Sequence, residues 1–114
     1  MKVDKSLLSG STTLLVLSLL QDGDKYGYEM IAELEKRSDA TFELKEGTLY
    51  PLLHALENSN YVSSYQQETA NGRQRKYYRL TPQGLDHLVE KTAEWTLFAE
   101  KVNAVIGSAV LQKA

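Results

Sequence analysis

At 114 residues the chain is long enough for one modest domain with one core, and its 25% charged and 42% hydrophobic residues match a soluble globular protein. The formal net charge of −2 gives no global attraction to nucleic acid, so any such binding must come from Lys and Arg gathered in one place. With no cysteine there is no disulfide framework and no thiolate-ligated zinc, which fits a cytoplasmic protein. The longest apolar run, 13–20, is too short to span a membrane, and no small-residue cleavage pattern follows it.

Residues 1–4 are expected to be loose, followed by a first helix over 5–20. Leu7, Leu8, Leu14, Leu15, Val16, Leu17, Leu19 and Leu20 make that helix apolar on more than one face. Such a helix is buried against several neighbours, of which a partner subunit is a plausible one. Asp22-Gly23-Asp24 breaks the pattern, and Asp24 is a candidate cap for a second helix over 26–37. Tyr26, Met30, Ile31 and Leu34 form its apolar stripe, and Glu29, Glu33, Glu35, Lys36 and Arg37 its solvated face. A polar connection, 38–45, leads to the third helix.

The third helix is expected to begin near Glu46 or Gly47, because Pro51 is tolerated only close to a helix start. Leu49, Leu52, Leu53 and Leu56 recur at helical spacing and face a core. Gly47, Tyr50, Pro51, His54 and Asn58 fall on the opposite face, which carries little charge and is a poor match for an ordinary solvated surface. Asn58-Ser59-Asn60 ends the helix. A strand over 61–68, the loop Thr69-Ala70-Asn71-Gly72 and a return strand over 74–80 form a hairpin. Alternation puts Arg75, Tyr77 and Arg79 on one face and Lys76, Tyr78 and Leu80 on the other.

Thr81-Pro82 reads as an N-cap followed by proline at the first helical position of a last helix, running from 82 to about 107. Leu85, Leu88, Thr92, Trp95, Ala99, Val102, Ile106 and Ala109 alternate in steps of three and four, and Val89, Phe98, Val105 and Val110 widen this seam. The remaining core cannot cover it, so a second copy related by a two-fold axis is the simplest partner. The expected fold is mainly α with a small antiparallel β hairpin. It comprises a winged helix-turn-helix over 1–81 and a C-terminal dimerisation helix over 82–114, in one compact unit.

In a helix-turn-helix the second helix of the pair enters the major groove and meets base edges with its N-terminal residues. Here that is the helix starting at Gly47, whose missing side chain admits close backbone approach. Arg73, Arg75, Lys76 and Arg79 lie within seven residues that hold no acid. Charge there either protects a strand edge or neutralises phosphates; the adjoining helix-turn-helix favours phosphates.

Several stretches then resemble the PadR family of bacterial transcriptional regulators. They are Tyr26-Gly27-Tyr28-Glu29-Met30, Gly47-Thr48-Leu49-Tyr50-Pro51-Leu52-Leu53 with Leu56-Glu57, Gly72-Arg73, Arg75-Lys76-Tyr77-Tyr78, and Leu80-Thr81 with Gly84. They stand in order across roughly residues 5–90, and a single C-terminal helix is similar to the family's short branch. The resemblance implies a homodimer that binds operator DNA, usually as a repressor relieved by phenolic acids or hydrophobic drugs. By position it assigns DNA contacts to Thr48, Tyr50, His54, Gly72, Arg73, Arg75 and Lys76, with Tyr26 and Tyr28 supporting or touching the backbone. The chain departs from the family at Ala55, where a basic residue is frequent, and at Asn60, where glycine is frequent. Trp95, the one tryptophan, with Phe98 nearby, is either interface packing or a surface for a flat aromatic effector.

His54 and His87 are the only histidines and have no helical-spaced partner, so no metal, cofactor or catalytic role is expected; His87 reads as a helix-surface residue. The rival reading is a dimeric ligand-binding or interaction protein that has lost DNA binding.

Overall fold

The computed structural model describes residues 3–107. The chain order is α1 (Lys5–Ser9), α2 (Thr12–Leu20), β1 (Lys25–Tyr26), α3 (Gly27–Arg37), α4 (Glu46–Asn58), β2 (Val62–Glu68), β3 (Gln74–Leu80) and α5 (Pro82–Ile106). The antiparallel sheet has the order β1-β3-β2, with Tyr26 opposite Tyr77 and Glu68 opposite Gln74.

The core gathers one apolar stripe from each of α2, α3, α4 and α5. Val16, Leu17, Leu19 and Leu20 of α2 meet Met30 and Leu34 of α3, Leu49, Leu53 and Leu56 of α4, and Leu88 of α5. Val62 and Tyr78 close it from the sheet. Full burial of each such aliphatic side chain stabilises by about 1.5–3 kcal/mol relative to exposure. The spacing of α4 holds as expected: Leu49 and Leu53 are fully buried, while Gly47, Tyr50, Pro51, His54 and Asn58 are exposed.

Four local expectations are corrected. The first helix is two helices, broken at Gly10 and Ser11. Ser11 N–H donates to the Leu8 carbonyl in a tight turn, and the buried Thr12 hydroxyl donates to the same oxygen at 3.0 Å. Asp4 is not loose, because its carboxylate caps α1 by accepting from Ser6 N–H at 2.9 Å. Asp24 does not cap α3; Tyr26 holds the N-cap position, and its N–H donates to Glu29. The connection before α4 is not simply polar, because Leu44 is buried and Phe42 packs against the core. Asp39 and Ala40 turn that connection with φ of 50° and 61°.

The hairpin loop is closed by Thr69 N–H to the Arg73 carbonyl at 2.7 Å, and Gly72 supplies φ of 83°. Asn60 has φ of 63°, the left-handed region that asparagine tolerates better than most residues. Thr81 caps α5 as expected, its hydroxyl accepting from Gly84 N–H at 2.9 Å. His87 is half-buried rather than a free surface residue, with its ring stacked 4.1 Å from that of Tyr61. Among the described residues no helix is long and apolar enough to cross a membrane.

Past Leu88 its own chain covers the α5 seam only in part: Trp95 is 48% exposed, Phe98 53% and Val105 87%. The expected seam positions Ala109 and Val110 lie outside the described residues.

Candidate nucleic-acid interface

The recognition surface is assembled from the start of α4, the N-cap of α3 and the hairpin. Thr48 and His54 stand exposed on α4. Tyr50 is 39% exposed, and its hydroxyl end lies against the Cα of Gly27, where a side chain would meet it at 2.2 Å. Gly27 therefore lets α3 and α4 approach closely, and Tyr50 serves packing as well as surface. Burial raises the Tyr50 pKa, so it remains a neutral donor. The neighbouring Tyr28 is 60% exposed, and its hydroxyl donates to the Glu46 carboxylate, which raises the Tyr28 pKa. At Gly47 nothing stands within 4 Å of where a Cβ would be, so the surface is open there.

On the outer face of the sheet, cations and aromatic rings interleave. Arg75 lies 4.4 Å above the Tyr26 ring, Tyr26 meets Tyr77 edge-on at 5.4 Å, and Tyr77 stacks on Tyr65 at 5.7 Å. Arg79 lies 5.2 Å from the Tyr65 ring. Contacts of this kind contribute about 0.5–1 kcal/mol each at exposed sites, and they hold the long Arg75 side chain extended. Tyr26 is thus half-buried beneath Arg75 and acts as a platform.

The four hairpin cations divide into two pairs. Arg79 is committed to Asp24, with Nη2 at 3.1 Å and Nε at 3.2 Å, and this pairing raises its pKa. The Tyr65 hydroxyl donates to the same carboxylate at 2.7 Å and its pKa is raised by that bond. Lys76 Nζ sits 3.8 Å from Glu57, which also accepts from Ser64. Glu57 thereby ties the hairpin to the far end of α4. Arg73 and Arg75, both exposed, have no acidic partner among the described residues. Gly72, beside them at the tip, is exposed.

Asp24, Tyr65 and Glu57 belong to this surface although nothing local in the sequence assigns them to it. The alternation that pairs Tyr65 with Tyr77 is visible in the two strands, but the partners of Asp24 lie 41 and 55 residues away.

An exposed helix start, glycine-led and flanked by a hairpin with free arginines, is the geometry of a winged helix-turn-helix. The profile of the "Transcriptional regulator PadR-like family" matches residues 16–90, which include α3, α4, the whole hairpin and the start of α5. The chain belongs to the PadR-like family of transcriptional regulators. A transcriptional regulator from Clostridium thermocellum superposes with a TM-score of 0.83 at 34% identity, covering 90% of this chain and 99% of that one. A PadR-like transcriptional regulator from Bacillus cereus gives 0.77 at 27% identity, covering 90% and 98%. In sequence, the transcriptional regulator YqjI of Escherichia coli is 27% identical over 104 residues, covering 90% of this chain and 48% of YqjI, so the chain spans about half the length of that relative. Transcription regulation through DNA binding is the class to which a PadR-like chain belongs, and these relatives are regulators rather than enzymes.

Proposed function

We propose that this PadR-like chain is a homodimeric, sequence-specific repressor that binds duplex operator DNA in the cytoplasm and releases it on binding an aromatic effector. The observation that carries the DNA reading is the pair of exposed, acid-free arginines, Arg73 and Arg75, next to an open Gly47 helix start in a chain of net charge −2. Thr48 and His54 then face base edges, with Tyr50 at the margin. Gly72, Arg73, Arg75 and Lys76 take phosphates, and Tyr26 holds Arg75 from below. The DNA-binding unit runs up to Thr81, and α5, from Pro82 to Ile106, is the dimerisation helix. The uncovered face of α5 supports the two-fold pairing, because large exposed apolar surfaces mark interaction sites.

Selection of bound fragments from sheared genomic DNA tests the reading. The expected result is a small set of sites, each with pseudo-two-fold symmetry. Recovery of no enriched sequence from a folded, dimeric preparation would refute it.

The effector role rests on a second feature. A cleft of ≈ 760 Å³ runs between α1 and α5, lined among others by Leu7, Leu14, Phe42, Trp95, Phe98 and Val102. Trp95 and Phe98 have ring centroids 5.9 Å apart and tilted by 37°, an arrangement that offers a flat ligand aromatic surface. Planar cationic aromatics are expected to quench the fluorescence of Trp95 saturably, and Phe98→Ala to weaken that binding. Linear, non-saturating quenching across a broad panel would remove the effector role.

A further inference from the structure

A second cleft, of ≈ 330 Å³, adjoins the first turn of α4 on the side of α1. Lys5, Ser9, Thr41, Glu43, Lys45 and Thr48 are among its polar lining, and Leu8 and Leu44 among its apolar walls. Thr48 belongs both to this cleft and to the exposed recognition face, so the two surfaces are continuous.

We propose that Lys5 and Lys45 grip a backbone phosphate of the bound duplex at this cleft, with the Thr48 hydroxyl as an added donor. The inference rests on the reading of α4 as the DNA-facing helix.

Three observations support it. Lys5 is exposed and has no acidic partner among the described residues. Lys45 Nζ lies 3.7 Å from Glu43, which also lines the cleft, but both side chains are well exposed, at 67% and 46%. Exposed pairs of that kind contribute about 0–1 kcal/mol, little enough for a phosphate to displace. Finally, the site complements the hairpin in position. Lys45 caps the start of α4, whereas Lys76 of the hairpin approaches Glu57 near its end. At 1.5 Å per residue those two points are about 18 Å apart along the helix axis. Anchors at both ends fix the tilt and register of α4 in the groove, where a contact at one end leaves it free to pivot.

The test is binding of a duplex of arbitrary sequence by fluorescence anisotropy across a salt series, which counts phosphate contacts without requiring the operator. Relative to wild type, Lys5→Ala/Lys45→Ala is expected to lower the slope of log K against log salt by about 0.9, the loss of one neutralised phosphate. Lys5→Arg/Lys45→Arg should preserve the slope, and Lys101→Ala on the exposed face of α5 should leave it unchanged. A wild type that binds with a steep slope, matched by an identical slope in the double alanine variant, overturns this proposal alone. Failure of the wild type to bind any duplex overturns the DNA-facing reading and this proposal with it. Inorganic phosphate titrated against the duplex-bound protein at constant ionic strength separates a small-anion site from a backbone contact. Saturable phosphate binding that leaves the duplex bound, and that is lost in the double alanine variant, would assign the cleft to free anions and overturn the proposal.

Discussion

Arg73→Ala/Arg75→Ala is expected to bind operator DNA roughly 50-fold more weakly than wild type near 0.1 M salt, with a salt slope smaller by about 1.8. The magnitude follows from two counterion-releasing contacts at about 0.9 each, and it is large because the chain has no net positive charge to compensate. Arg79 and Lys76 cannot make up the loss: Arg79 is held by Asp24 at 3.1 Å, and in the proposed complex Lys76 already takes a phosphate of its own. The fold should be unaffected, since neither arginine is buried and neither is ion-paired among the described residues. Electrophoretic mobility shifts at several salt concentrations check it. An unchanged slope would show that the hairpin tip does not touch the duplex. The ring beneath Arg75 gives a graded companion result. Tyr26→Phe retains the platform and should bind like wild type, while Tyr26→Ala should lose part of what Arg75→Ala loses.

Gly84→Ala is expected to lower the melting temperature by on the order of 10 °C, corresponding to roughly 2–3 kcal/mol. A methyl group at Gly84 would sit 1.9 Å from the Tyr61 carbonyl oxygen, 2.9 Å from its carbon and 2.8 Å from Leu80 Cδ1. The carbonyl is not free to swing aside, because it accepts Thr81 N–H at 3.1 Å. The helix propensity that alanine adds, about 1 kcal/mol, is too small to offset this collision. Gly47→Ala is the matched comparison. Nothing lies within 4 Å of the added carbon there, so its melting temperature should equal or exceed that of the parent while DNA affinity falls. Circular dichroism melts of the two variants decide the matter. A Gly84→Ala protein melting with the wild type would mean that α5 does not rest on the hairpin as described.

The parts of this arrangement that are legible in the sequence are those whose physics is local. Helical spacing places Leu49, Leu53 and Leu56 inside, Asn71-Gly72 turns the hairpin, and Thr81-Pro82 starts α5 at the residue where it is observed. Strand alternation correctly separates Arg75, Tyr77 and Arg79 from the buried Tyr78. Features that depend on distant partners escape such a reading. Strand β1 is two residues long and has no alternation to reveal it; it exists because Tyr26 pairs with Tyr77 across the sheet. Asp24 has the composition of a helix cap, yet it is claimed by Tyr65 and Arg79. The break at Gly10 is hidden because leucines continue on both sides of it. Lys5 and Lys45 are separated by forty positions and come to line one cleft only in the folded chain.

The close seat of Gly84 on Tyr61 has a geometric consequence far from the contact itself. From Gly84 to Ile106 helix α5 extends about 33 Å, so a hinge movement of about 10° at its base carries the far end about 6 Å. In a pair joined along α5, that displacement is a sizeable part of the roughly 34 Å that separates successive major-groove faces of a duplex. One atom's clearance at the foot of the helix thus sets whether two reading heads keep step with the DNA.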